Sequence, residues 1–96
     1  MSRHAPYRFR LYVAGDAQNS VQAVANLKAL CREHLPNRHT IEIVDVFRQP
    51  ERALTDSIFM TPTLVKLGPL PVQRIIGTLN QTQPVLDALG LGSHST

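Results

Sequence analysis

Tryptophan is absent from this 96-residue chain, aromatic residues make up only 5% of it, and cysteine occurs once, as Cys31. Aliphatic side chains must therefore fill the core, drawn from an apolar fraction of 43%. A lone cysteine excludes an internal disulfide framework. No apolar run approaches the roughly 20 residues that span a bilayer. The opening Met1-Ser2-Arg3-His4-Ala5-Pro6 lacks the apolar stretch of a secretory signal. These absences predict a cytoplasmic protein with no membrane partner. Ten Lys and Arg against seven Asp and Glu give a net charge of +3, but the cations are scattered along the chain. Nucleic-acid binding needs a concentrated basic face with aromatics or a readable motif, and neither is present. A basic patch assembled in three dimensions for an acidic protein remains compatible with this pattern. Repeats and linkers are also missing, so one domain is expected over residues 1–96, with flexible segments at 1–6 and 92–96. So short a chain has a thin stability margin, which oligomerisation or partner binding would supplement.

The hydrophobic pattern predicts the element order βαβαββα. Phe9, Leu11 and Val13 alternate through Arg8–Ala14, a strand signal. Asn19 or Ser20 is placed to cap a following helix. Val21, Val24, Ala25, Leu27, Leu30 and Cys31 then recur at helical spacing until Leu35-Pro36-Asn37 stops the helix. Residues Ile41–Phe47 are apolar on both faces towards their end, as in a strand buried within a parallel sheet. Pro50–Asp56 suits a short helix with proline in its first turn. Thr63–Leu67 and Val72–Ile76 read as strands joined through Gly68-Pro69-Leu70-Pro71, with Gly77 closing the second. Asn80–Leu89 is expected as a last helix, stopped by Gly90.

This order, with Thr61-Pro62 just before the third strand, resembles the thioredoxin fold. There the corresponding proline is usually cis, although an ordinary trans proline opening a strand fits the sequence equally. Thioredoxin chemistry requires a low-pKa thiolate at the start of the first helix. Here that segment is Gly15-Asp16-Ala17-Gln18-Asn19-Ser20, without cysteine. Cys31 lies about three turns along the helix, far from the end where the dipole favours a thiolate. A redox sensor or oxidoreductase using Cys31 alone is the alternative function, and it needs that thiol to be reactive. Cys31, His34 and His39 fall short of the four ligands of a structural zinc site unless His4 or His94 joins them. Ser20 has no His and Asp arranged to activate it, and Gly15 has no phosphate-loop sequence around it. No cofactor, metal or catalytic group is predicted.

Several segments together resemble the KaiB family of circadian-clock proteins. They are Leu11-Tyr12-Val13-Ala14-Gly15, Asn19-Ser20-Val21, Val44-Asp45-Val46 with Pro50, Thr61-Pro62-Thr63-Leu64, Pro69-Leu70-Pro71-Val72 and Arg74-Ile75-Ile76-Gly77. The resemblance runs from about Tyr7 to Leu91. It implies a non-catalytic adaptor that binds KaiC, a hexameric ATPase, with a KaiA-like protein as co-partner and a sensor histidine kinase as competitor. It also implies switching between a thioredoxin-like βαβαββα form that binds KaiC and a βαββααβ ground state assembled as a homo-oligomer, dimer or tetramer. Short, weakly biased segments punctuated by proline and glycine fill the second half, as two packings of similar free energy require. Lys66, Arg74, Asn19 and Asp45 match family positions as candidate partner or assembly contacts. Pro62, Pro69, Pro71 and Gly77 match as backbone or switch positions. Gln73 stands where many members carry a second arginine, and Thr78 replaces a common acidic residue. These departures point to a member outside the core oscillator, partnering KaiC without KaiA. No kinase segment follows the last helix, which argues against a fragment of a signalling kinase.

Overall fold

A computed structural model describes residues 6–91, so all but Pro6 of the expected terminal segments lie outside the described residues. The elements are β1 (Tyr7–Val13), α1 (Gln18–His34), β2 (His39–Asp45), α2 (Pro50–Thr55), β3 (Thr63–Gly68), β4 (Gln73–Ile76) and α3 (Thr82–Leu89). Their order is the expected βαβαββα. They build one four-stranded sheet in the order β2-β1-β3-β4. β1 runs parallel to β2, with Leu11 opposite Ile43, and antiparallel to β3, with Leu11 opposite Leu64. β3 and β4 form an antiparallel pair in which Val65 faces Arg74.

Strand alternation gives the sheet two unlike faces. On the first, Phe9, Leu11, Val13 and Leu64 join Ala23, Leu27, Leu30 and Cys31 of α1 and Val85, Leu86 and Leu89 of α3 in a continuous buried core. The second face carries a smaller cluster, Tyr12, Val44 and Val65, with Val46, Ile58 and Leu67 packed against it, and the charged residues Arg10, Glu42 and Arg74 in register across it.

Three local expectations are corrected. β2 is an edge strand: only Val44 is buried, and Ile43 is 43% exposed. Its apolar side chains are sided, with Ile41 and Ile43 beside α1 and Val44 in the Tyr12 and Val65 cluster of the other face, so an edge strand apolar on both sides reads like a buried one. α1 begins at Gln18 after Ala17, with no side-chain cap. Ser20 is buried, and its Oγ accepts the Ala14 N–H at 2.9 Å, so it ties the loop before the helix instead of capping it. α3 starts at Thr82, two residues later than expected, because Gln81 is extended, at φ −103° and ψ 100°, and serves as the N-cap. Gly90 stops α3 in the left-handed conformation, as the sequence indicated.

Candidate functional site

The loop from β1 to α1 lies where thioredoxins hold their reactive cysteines. Gly15 adopts φ +55°, and a Cβ there would approach the Phe47 ring to 3.3 Å, so the position suits glycine on both counts. Asp45 Oδ1 accepts the N–H groups of Gly15 at 3.2 Å and Phe47 at 2.9 Å. Asp45 therefore joins the ends of two parallel strands. Asn19 lies exposed in the first turn of α1. The Thr61–Pro62 bond is cis, as are Gly68–Pro69 and Leu70–Pro71. Pro62 is buried, and its carbonyl accepts the Gly77 N–H at 3.0 Å.

Cys31 has no accessible surface, and burial pushes its thiol up to about 11. A nucleophilic or metal-binding cysteine needs the opposite shift. His39 Nδ1 donates to the Leu35 carbonyl at 2.7 Å, and His34 Nε2 lies 4.0 Å from Glu33. Among the described residues no three His, Cys, Asp or Glu side chains converge as a metal site would require. His4 and His94 lie outside the described residues.

The second face carries the larger polar constellation. Glu42 receives Arg10 Nε at 2.8 Å and Arg52 Nη1 at 2.7 Å. These cations, Arg52 first, hold the Glu42 carboxyl down at about 2. Asp56, just past α2, accepts the Tyr12 hydroxyl and Arg10 Nη1, the latter at 3.2 Å. The Tyr12 bond is the main reason its carboxyl titrates below the ordinary range. Arg74 donates to the carbonyls of Asp56 at 2.6 Å and Ser57 at 3.2 Å. A predicted contact residue thus clamps the end of α2 while remaining exposed. Lys66 is only 5% exposed, on the α1-facing side, with its ammonium 5.7 Å from the Tyr7 ring centroid. The structure does not bring Lys66 and Arg74 together, since they lie on opposite faces of β3 and β4.

Sequence reasoning missed Arg10, Tyr12, Glu42, Arg52 and Asp56. The available signal was the charge at alternate positions of a central strand, Arg8 and Arg10, which needs acidic partners on the same face.

Around this network the second half leaves Leu54, Phe59, Met60, Leu70, Val72 and Ile76 exposed, with Phe59 at 87%. A cleft of about 390 Å³ opens among Phe59, Met60, Arg74 and Ile76. Such a surface suits association more than catalysis.

A KaiB domain family model matches residues 10–91. The chain belongs to the KaiB family. The circadian clock protein KaiB3 of Synechocystis sp. is 48% identical over 82 residues, covering 85% of this chain and 78% of the relative. The circadian clock oscillator protein KaiB of Synechococcus elongatus is 42% identical over 91 residues, covering 95% and 89%. Among solved structures, the N-terminal domain of Synechococcus elongatus SasA superposes with a TM-score of 0.73 at 20% identity, over 100% of this chain and 94% of that one. Chloroplastic thioredoxin z gives 0.75 at 18% identity, over 92% and 80%. At these identities the likeness concerns the fold, which is thioredoxin-like as expected. This KaiB-family chain keeps that scaffold with no cysteine at the start of α1. No helix among its described residues is long and apolar enough to cross a membrane.

Proposed function

We propose that this chain is a non-catalytic KaiB-type adaptor, a single cytoplasmic domain that docks on a KaiC-type hexameric ATPase and modulates its phosphorylation, ATPase cycle or signalling. The observation that carries the reading is the exposed apolar surface of the second half, Leu54, Phe59, Met60 and Ile76, on a scaffold whose only thiol is buried. Apolar area of this kind stabilises a complex when covered, at roughly 25 cal/mol per Å². Asn19, Asp45, Lys66 and Arg74 are the candidate contacts, with Asn19 and Arg74 directly accessible. A sensor histidine kinase is the expected competitor for the same ATPase, and a KaiA-like protein the candidate co-partner.

Fold switching belongs to the same proposal. The βαβαββα form is the binding state, and a βαββααβ homo-oligomer, dimer or tetramer, is the resting state. Pro62, Pro69, Pro71 and Gly77 lie in the half that would repack. The two orders share their first three elements, so β1, α1 and β2 stay in place.

Size-exclusion co-elution with the KaiC-type ATPase of the same organism, under ATP turnover and after long incubation, tests the adaptor. A stable complex is expected, weakened by Phe59→Asp. Absence of a complex under every nucleotide condition overturns the reading. Two slowly exchanging sets of amide peaks, concentrated from Pro50 onward, are expected in two-dimensional NMR spectra over a range of temperatures.

A further inference from the structure

A groove follows the seam between α1 and the edge strand β2, on the side of the sheet away from the Arg10–Glu42 network. At one end lie Val21, 55% exposed, Val24 and Ile43, around a hollow of about 440 Å³. At the other, Lys28, Arg32 and His39 surround a second hollow of about 480 Å³. Lys28 lines both, so the two hollows adjoin at that side chain. Lys28 and Arg32 are four residues apart on one helical face and exposed, and among the described residues neither forms an ion pair. No carboxylate lines the basic end. The neighbouring Glu33 is directed to His34. Two of the ten cations thus form a small patch with an apolar extension.

We propose that this seam binds an acidic protein segment, apolar at one end and rich in carboxylates at the other. Two exposed cations outside any ion pair among the described residues, with the carboxylate of Asp16 on the lining of the apolar end only, complement negative charge at the basic end and raise the encounter rate with it. A free small anion would use the basic end alone and leave Val21, Val24 and Ile43 uncovered. The seam from Val21 to Arg32 measures about 16 Å along α1. That length matches about three turns of helix or about five extended residues. The proposal does not rest on binding to a KaiC-type ATPase, and it requires only β1, α1 and β2.

The probe is a fluorescein-labelled peptide with a leucine-rich half and a glutamate-rich half, titrated with the full chain and read by anisotropy. Binding is expected to weaken several-fold between about 50 and about 300 mM salt. The double variant Lys28→Glu with Arg32→Glu is expected to lose at least about tenfold in affinity, and the milder Lys28→Ala with Arg32→Ala severalfold. Arg8→Glu with Arg48→Glu changes net charge equally away from the basic end and leaves affinity unchanged. Amide shifts on binding are expected in residues 20–32 and 39–43. Circular dichroism of each variant separates lost binding from lost fold. No binding at about 1 mM peptide overturns the proposal. So does equal weakening by the Arg8/Arg48 pair, or binding of anionic phosphatidylglycerol vesicles in place of the peptide.

Discussion

Tyr12 is completely buried, yet its hydroxyl reaches the carboxylate of Asp56, which also receives Arg10. Burial raises the Tyr12 pKa, so the phenol stays protonated and donates. A hydrogen bond to a charged group contributes about 1.5–3 kcal/mol. Tyr12→Phe keeps the ring and removes the donor, so a loss of about 1–3 kcal/mol is expected in urea unfolding. An unchanged midpoint would assign Asp56 wholly to Arg10. The acidic pair also sets a pH dependence. Glu42 and Asp56 have folded pKa values below their unfolded ones, Glu42 at about 2 against an ordinary 4.5. Such groups bind fewer protons when folded, so their stabilisation is fully present above the unfolded pKa and is lost as pH falls through the folded one. The urea midpoint is expected to fall between about pH 4.5 and pH 2, and Glu42→Gln to flatten part of that slope. The effect is small because the Glu42 side chain is 47% exposed and solvent-screened. Cys31 supplies a converse test. Its buried, raised-pKa thiol is expected to react with a disulfide reagent at neutral pH only as fast as the chain opens, and rapidly in denaturant.

Among the elements, legibility follows the number of independent signals each segment carries. Helix α1 combines an apolar stripe with a proline stop, and both ends of β1 are punctuated, so their existence was plain. The hairpin β3–β4 was readable from Gly68-Pro69-Leu70-Pro71 between two apolar runs. The position of β2 was not, because Ile41, Ile43 and Val44 reflect apolar packing on two sides and say nothing about the strand's neighbours. Lys66 was misleading for a related reason: a lysine on a central strand buries its stem and places its ammonium against Tyr7, so charge alone does not locate a surface. Asp45 was legible as a position, but its work is to bind the Gly15 and Phe47 amides. Asp56 carried no local signal, since its partners are 44 and 46 residues away. Gly77 is the element-scale test. Its φ of +120° is a conformation L side chains rarely adopt, although a Cβ would meet nothing within 4 Å. Gly77→Ala is expected to destabilise this arrangement by more than about 1 kcal/mol through backbone strain alone. If repacking of the second half relieves that strain, the variant populates the alternative peak set instead of unfolding.

Across the whole molecule, stability is expected to be uneven, because the two faces of the sheet are held by different forces. The first face joins β1, β3, α1 and α3 through one continuous apolar core, which opens only with the loss of much buried area. On the second face α2 buries only Ala53. Its attachment combines Arg52 to Glu42, Arg10 and Tyr12 to Asp56, and Arg74 to the carbonyls that follow with the packing of Ile58 on the small Tyr12, Val44 and Val65 cluster. Polar contacts of this kind contribute about 1–3 kcal/mol each, and their groups can bond to water when the segment opens. The segment from Pro50 to Met60 is therefore expected to open as a unit while the first-face core stays closed. Native-state hydrogen exchange would measure this as lower opening free energies for amides of 51–60 than for β1, α1 and β3, with weak dependence on denaturant. Arg74→Ala removes both clamping bonds from an exposed position, so it should lower the opening free energy of 51–60 and leave the β1 and α1 amides unchanged. Equal changes in both sets would mean that α2 opens only with the whole molecule, and that the charged face is part of one cooperative core.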